Sequence, residues 1–216
     1  MAKVGLEYAR IAVLHENSAE TTPSYSDCIK LGAAVKFDCK VNLSKATLFA
    51  DNRLQESRAK FKDGTLSVDI DDLLDEARTL MLGHTVDETT SEVISNADDK
   101  SPYMGFGIVG TVERGGVTKH RAIWFCKVQF EEPSESGETE GETFKYNTTS
   151  VTGTIFTLKN GDYKYDRTFD DIGDAKAYIN EKAGVPASPL ENGGETPEVS
   201  NTVYNGKPDN TESNPG

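Results

Sequence analysis

The sequence has few of the residues that most often carry chemistry. Its 216 residues include three histidines and three cysteines, and no two histidines stand at the spacing of metal ligands. The motifs G-x-S-x-G, H-E-x-x-H and G-x-x-x-x-G-K are absent as well. We therefore expect His15, His84 and His120 to be surface or strand-edge residues. We predict no enzymatic activity, no metal site and no cofactor.

Long apolar stretches are missing too. Hydrophobic residues make up 36% of the chain and its mean hydropathy is −0.54, so part of it is predicted to lie outside any core. No run approaches the roughly 20 apolar residues that a membrane-spanning helix needs. The segment 1–7 has no apolar stretch of the kind found in secretory signals. We expect no signal peptide and no membrane anchor.

The cysteines do not suggest a disulfide framework. Cys28, Cys39 and Cys126 are odd in number and have no C-x-x-C spacing. Cys39 and Cys126 each fall on an apolar face of a predicted strand, where a buried free thiol is the common interpretation. These features favour a reducing compartment.

Positive charge is scarce and negative charge is unevenly distributed. Lys and Arg number 23 against 36 Asp and Glu, which gives a net charge of −13 and argues against nucleic-acid binding by a basic surface. The segment 131–142 has six Glu and no basic residue, and 184–216 has five acidic residues and one Lys. The latter is rich in Pro and Gly. We predict a folded domain over 1–183 and a flexible acidic tail over 184–216.

The stretch 103–130 carries the clearest structural signal. Two β-rich runs flank Gly115-Gly116, and a Gly-Gly pair supplies the positive φ angles of a tight hairpin turn. In the second run Trp124, Cys126, Val128 and Phe130 alternate onto one face, which predicts a strand buried on that side and partly covered on the other by a neighbouring element.

Three glycines in the first run match the spacing of a nucleotide-binding motif. Gly105, Gly107 and Gly110 spell G-x-G-x-x-G, but that fingerprint works by opening a helix whose N-terminus faces a pyrophosphate. A hairpin is predicted here instead, so we interpret these glycines as positions of close packing.

Further strands and two helices complete the predicted secondary structure. Strands are predicted at 6–14, 35–43, 65–70, 144–158 (with a bulge at Gly153) and 163–169, and 45–62 is interpreted as one or two strands joined by an extended loop. Polar connections are predicted at 16–26 and 85–101. Helices are predicted at 71–83, capped by Asp71 and Asp72, and at 170–183. Because capping explains the acidic residues near 71, we do not interpret them as a cation site. The fold class is mainly β, of α+β type.

Five segments, in this order and spacing, give the chain a family likeness: Ala2–Leu6, Ala46–Arg53, Gly64–Leu73, Ala122–Phe130 and Tyr146–Ile155. Together they span most of 2–183. In these segments the chain resembles the major tail tube proteins of long-tailed bacteriophages with non-contractile tails.

The resemblance implies a tail-tube-type β-sandwich with one or two flanking helices. It implies a structural protein of the virion tail, assembled in the cytoplasm of a bacterial host. Six copies would form a ring, and stacked rings would form a tube that conducts DNA without binding it specifically. Expected partners are further copies of the chain and the tape measure, tail terminator and distal tail or baseplate proteins.

The resemblance also suggests residues for these contacts. Candidates for the lumen or the contact between rings are Asp51, Arg53, Glu56, Arg58 and Asp63. A candidate inter-subunit hairpin contains Gly105, Gly107, Gly110, Gly115 and Gly116. A carboxylate-rich lining would repel DNA at short range. We expect 131–142 and the tail to lie outside the tube or at ring junctions, because inside it they would obstruct DNA.

Two other classes remain open. An immunoglobulin-like surface binding module is compatible with the number of strands, although the absence of a predicted signal and of a disulfide pair argues against it. An acidic cytosolic ligand-binding domain is the least specific alternative.

Overall fold

A computed structural model of the chain describes residues 2–16, 23–50, 53–87, 89–134 and 148–186. The remainder of the predicted tail, most of the acidic 131–142 segment and Asp51 lie outside the described residues.

Strands account for most of the described chain, so the predicted mainly β fold of sandwich type with two helices is confirmed. Its elements are β1 (Ala2–His15), β2 (Ser24–Gly32), β3 (Ala34–Ala50), β4 (Arg53–Ile70), α1 (Asp75–Leu82), β5 (Thr85–Val86), β6 (Val93–Ile94), β7 (Met104–Arg114), β8 (Val117–Phe130), β9 (Thr149–Ile155), β10 (Lys164–Phe169) and α2 (Ile172–Lys182).

Eight of the strands form one antiparallel sheet, in which β2-β1-β7-β8-β9-β4-β3 are neighbours in that order and β10 also pairs with β8. The sheet folds over on itself, because residues from both of its halves share one core. Phe37 of β3 lies with its ring centroid 6.3 Å from that of Phe106 and 5.9 Å from that of Phe125, which belong to β7 and β8. This packing of one half on the other makes the sandwich.

A second apolar cluster lies on the opposite face of β1, β7 and β8, under α2. Trp124 packs there with Ala175 and Ile179, all fully buried. The helix begins after Asp171, whose side chain accepts hydrogen bonds from the backbone N–H groups of residues 173 and 174. The predicted second helix and its inner face are therefore confirmed.

The hairpin predicted at 103–130 is confirmed as β7 and β8, with a turn at Gly115 and Gly116 whose φ angles are 61° and 78°. The prediction that Trp124, Cys126, Val128 and Phe130 share one face of β8 is wrong. Trp124 and Cys126 face α2, whereas Val128 and Phe130 face the sandwich core. The register shift between the Phe106–Phe125 and Met104–Val128 pairs places an extra residue on β8, and such a bulge moves the following side chains to the other face.

The first helix starts later than the sequence predicts. It spans Asp75–Leu82 and its N-cap, Leu74, provides no side-chain hydrogen bond. Asp71 instead accepts hydrogen bonds from the backbone N–H groups of Ala33 and Asp72, so this carboxylate fastens the β2–β3 connection. Gly83 ends the helix with a φ of 77°, as predicted.

Several loops and buried positions were also predicted wrongly. Strand β2 begins inside the predicted polar loop 16–26, and the polar connection 85–101 contains the short strands β5 and β6. Gly153 pairs in regular register rather than in a bulge. The apolar face predicted for 35–43 is largely exposed, since Val35, Val41 and Leu43 are 59%, 37% and 51% accessible and Cys39 is exposed as well. Cys126 is buried, as predicted, and burial raises the pKa of its thiol to about 12.

Candidate functional site

The longest feature outside the sandwich is the hairpin formed by β3 and β4. Their pairing runs from Ala34 opposite Ile70 to Ala50 opposite Arg53. Strand β9 pairs with β4 only from Gly64 onward. Residues 43–62 therefore extend beyond the sheet as a two-stranded ribbon, which we call the arm. Eight residues of β3 take part, so the arm reaches about 26 Å at the usual rise of a strand.

The base of the arm is fixed by side chains and by a change of register. The Nδ2 of Asn42 donates a 2.6 Å hydrogen bond to Asp63. The next pair is Leu43 opposite Phe61, which leaves Lys62 as an extra residue on β4, and a bulge of this kind bends and twists a ribbon. Phe61 stacks on Tyr163 at 4.5 Å between ring centroids, which ties the arm to the body.

Beyond this base the arm is exposed wherever its side chains are described. Every residue whose side chain is described in 43–46 and 57–60 is exposed, and Leu43 is 51% accessible. A two-stranded ribbon without a covered face is marginally stable in water. Contact with a partner would therefore stabilise the arm.

The arm is basic. Residues 43–62 contain five Lys or Arg and two acidic residues, so their net charge is +3 although the whole chain is negative. Of the predicted lumen or inter-ring residues, Arg53, Glu56, Arg58 and Asp63 lie on β4 and Asp51 falls outside the described residues. Arg53, Glu56 and Arg58 belong to the arm, and Asp63 lies at its base opposite Asn42. The expectation that this region offers a carboxylate-rich lining does not fit its charge.

Within the described residues the sheet ends at β2 and at β3, and β10, which pairs with β8 alone, leaves a third free side. The predicted inter-subunit hairpin lies elsewhere, because β7 is paired with β1 and β8, and β8 is paired with β7, β9 and β10. Its backbone edges are occupied within the chain along most of their length. This hairpin therefore lies at the centre of the described sheet, and its exposed end runs from Gly115 to Thr118.

The glycines of this hairpin have packing roles. A Cβ placed on Gly107 would lie 2.8 Å from Cε3 of Trp124 and 2.7 Å from Cγ2 of Ile179, and one on Gly105 would overlap the Trp124 ring. A Cβ on Gly110 would meet nothing nearer than 3.6 Å. Two of the three glycines of the G-x-G-x-x-G pattern therefore make room for the indole.

A groove of about 600 Å³ lies between β2, α1 and the small β5–β6 sheet. Asp27, Asp75 and Glu76 stand along it, and all three are exposed. Its apolar lining includes Ile29, Leu80, Val86 and Val93, and the half-buried Cys28 also contributes. None of the residues that line it is Lys or Arg. We call it the β2–α1 groove.

His84 forms a hydrogen-bonded cluster that sequence reasoning missed. It is 8% accessible, contrary to the predicted surface position. Its Nδ1 lies 2.8 Å from Oδ2 of Asp99, and its Nε2 lies 3.2 Å from both Oε2 of Glu132 and Oγ of Ser95. A hydrogen bond from the backbone N–H of Asn96, and then the one from His84, lower the pKa of Asp99. No local sequence motif predicts these contacts, because Asp99 and Glu132 lie 15 and 48 residues from His84 in the sequence.

Hydrogen bonds link Ser95 to His84 and His84 to Asp99, as in the Ser-His-Asp triad of hydrolases. The additional contact of His84 with Glu132 changes the chemistry. A general base must direct a lone pair of Nε2 at the serine hydroxyl, and here the carboxylate of Glu132 competes for a proton on that nitrogen. The two ring nitrogens of His84 each face a carboxylate oxygen. The cluster therefore favours a structural clamp that joins the end of α1, the 95–99 turn and the second residue after β8.

A scan against models of known protein families found no match to this chain, and a search of curated proteins found none. Among the described residues, no group of three or more His, Cys, Asp or Glu could hold a metal ion. The described helices are all too short or too polar to cross a membrane.

Proposed function

We propose that the chain is a structural subunit that polymerises with copies of itself into a bacteriophage tail tube. The observation that carries the proposal is the arm. Its residues leave the sandwich as a two-stranded ribbon whose described side chains beyond the base are exposed, and burial against a second copy would supply the missing cover.

The free sheet margins support the same conclusion. Strands β2 and β3 each present unpaired backbone groups along one side within the described sheet. Exposed edges of this length readily pair with another chain, and closure of a ring of subunits would satisfy them. An arm that contacts a different surface of the next copy makes a heterologous contact, and such a contact generates a filament when successive copies do not close into a ring.

The alternative of an immunoglobulin-like module has less support. Such a module divides its strands between two separate sheets, whereas here all eight long strands belong to one continuous sheet. The arm also has no counterpart in that scheme. An acidic ligand-binding domain is the least specific alternative, and it does not account for the exposed arm.

In the proposed tube the negative charge and the basic arm have different roles. A DNA conduit functions best when its lining does not bind phosphate. We place the basic arm against protein rather than in the lumen. The tape measure, terminator and baseplate proteins expected from the resemblance would meet the two ends of the polymer.

Electron microscopy tests the proposal directly. The purified full-length chain is concentrated and imaged in negative stain, alone and together with the tail proteins encoded beside it. We expect rings or hollow tubes. Persistent monomers under both conditions, together with absence of the chain from purified virions, would overturn the proposal.

A further inference from the structure

We infer that the arm of one copy docks in the β2–α1 groove of the next copy. The inference rests on the proposed function and specifies its contact along the filament. The two surfaces are complementary in charge, in apolar character and in their positions on the molecule.

Charge complementarity is the first argument. The arm has a net charge of +3 in a chain of −13, and Lys45, Lys60 and Lys62 are exposed on it. The groove carries Asp27, Asp75 and Glu76, with no Lys or Arg among the residues that line it. A basic element and an acidic groove on one chain attract each other between copies and steer their encounter.

Apolar surface is the second argument. Leu43 on the arm is 51% accessible, and the groove side of the small sheet exposes Val86 at 46%. Ile29 and Leu80 extend this apolar lining toward the core. Burial of both surfaces against each other adds a hydrophobic contribution to the ion pairs.

Position is the third argument. The arm lies at the Arg53 end of β4, and α1 follows the opposite end, after Ile70. The arm and the β2–α1 groove therefore lie at opposite ends of the β3–β4 strand pair. A translation along the strands brings the arm of one copy to the groove of the next. The free edge of β2 borders the groove and gives an extended ribbon backbone groups to pair with.

A charge swap in the full-length chain tests the contact. The arm variant is Lys60→Glu with Lys62→Glu, the groove variant is Asp75→Lys with Glu76→Lys, and the third variant combines all four. The matched controls, Lys100→Glu and Asp98→Lys, reverse exposed charges outside the arm, the groove and the free strand edges. Thermal unfolding of each monomer confirms that it is folded before polymerisation is measured by light scattering and microscopy.

We expect the arm variant and the groove variant each to need at least tenfold more protein for half-maximal assembly. The combined variant should recover most of the loss, and the two controls should behave as the unmodified chain. If the combined variant assembles no better than either parent, or if neither parent is impaired, the docking inference is overturned while tube formation stands. Failure of the unmodified chain to polymerise in any setting counts against the proposed function instead.

A cross-link gives a readout that does not depend on tubes. Cys28 lines the groove and Cys39 lies on β3, so Ser44→Cys is introduced on the arm in a Cys39→Ser background. A short bismaleimide should then join two copies through Cys28 and position 44. Removing Cys28 by Cys28→Ser should abolish the dimer. A dimer that persists without Cys28, or none at any concentration, contradicts the inference.

Discussion

At the residue scale, Trp124 organises the layer between the sheet and α2. Its ring lies edge-on to Tyr25 at 5.1 Å between centroids, and the Tyr25 hydroxyl donates a 2.8 Å hydrogen bond to the Cys126 carbonyl. Gly105 and Gly107 leave the space that the indole occupies. An added methyl group in this region has to displace a ring that is held on several sides.

We predict that Gly107→Ala lowers the free energy of unfolding by about 2 kcal/mol, the usual cost of overpacking a tight core. Gly110→Ala is the control in the same strand. Its Cβ meets nothing nearer than 3.6 Å, and the lower entropy of the unfolded chain should make it neutral or slightly stabilising. Denaturant titration of both variants measures the difference. Equal stabilities would contradict the packing role of Gly107.

A second residue-scale prediction concerns Glu16, which joins β1 to two later parts of the chain. Its carboxylate accepts a 2.6 Å hydrogen bond from Nζ of Lys127 and a 3.0 Å bond from the backbone N–H of Lys159. The Lys127 and Glu16 side chains are only 16% and 18% accessible. The bond from Lys127 is the largest cause that lowers the pKa of Glu16, with the bond from Lys159 adding to it against the opposing effect of burial.

Because the folded pKa is lowered, this stabilisation is present above the ordinary carboxylate range and is lost as the pH falls through the folded pKa. We expect Glu16→Gln to cost about 1.5 to 3 kcal/mol at neutral pH, the range for a hydrogen bond to a charged group. The difference from the unmodified chain should shrink in acid. Asp170→Asn is the control, since Asp170 is 81% exposed beside Lys119 and such pairs contribute little. An undiminished difference in acid would contradict the assignment.

At the element scale, the arm separates the stability of the body from its capacity to assemble. The pairing of β3 with β4 between residues 34 and 42 and residues 63 and 70 does not depend on the ribbon beyond it, and β9 supports only the body portion of β4. An Asn-Gly turn in place of residues 44–60 would close this hairpin at Leu43 and Phe61.

We expect this shortened chain to unfold within about 1 kcal/mol of the full chain, because the removed side chains that are described are exposed. Its assembly should be abolished. Unfolding curves and electron microscopy of the same preparation measure the two properties separately. Tubes formed by the shortened chain would remove the arm from the proposed function, and a large loss of stability would show that the arm supports the body.

The elements also show which features the sequence could predict. The β7–β8 hairpin was predictable because its Gly-Gly pair is a local turn signal with a defined geometry. Strand β10 and helix α2 were predictable from the periodicity of their apolar residues. The exposure of Val41 and Leu43 was not, because alternation identifies an apolar face but not whether another layer covers it. The arm and the groove depend on where β9 ends and where α1 returns, which are properties of tertiary pairing.

At the scale of the whole molecule, most of the charge lies outside the described sandwich. The segments 131–142 and 184–216 have net charges of −6 and −4 in a chain of −13. Among the described residues, the last contributors to the core are Ala183 and the partly buried Val185. The packing described here therefore requires nothing beyond 186, and the residues that follow add mainly negative charge.

We predict that a chain truncated after Pro186 keeps its free energy of unfolding within about 1 kcal/mol and associates at lower protein concentration. Removal of 187–216 takes away a net charge of −4, so copies repel each other less. Salt at about 0.15 M screens charges beyond about 8 Å, and the advantage of the truncated chain should therefore fade as salt is raised. Light scattering of both chains across a salt series measures this. A truncated chain that associates more weakly at every salt concentration would show instead that 187–216 contributes contacts, and that its role is adhesive rather than repulsive.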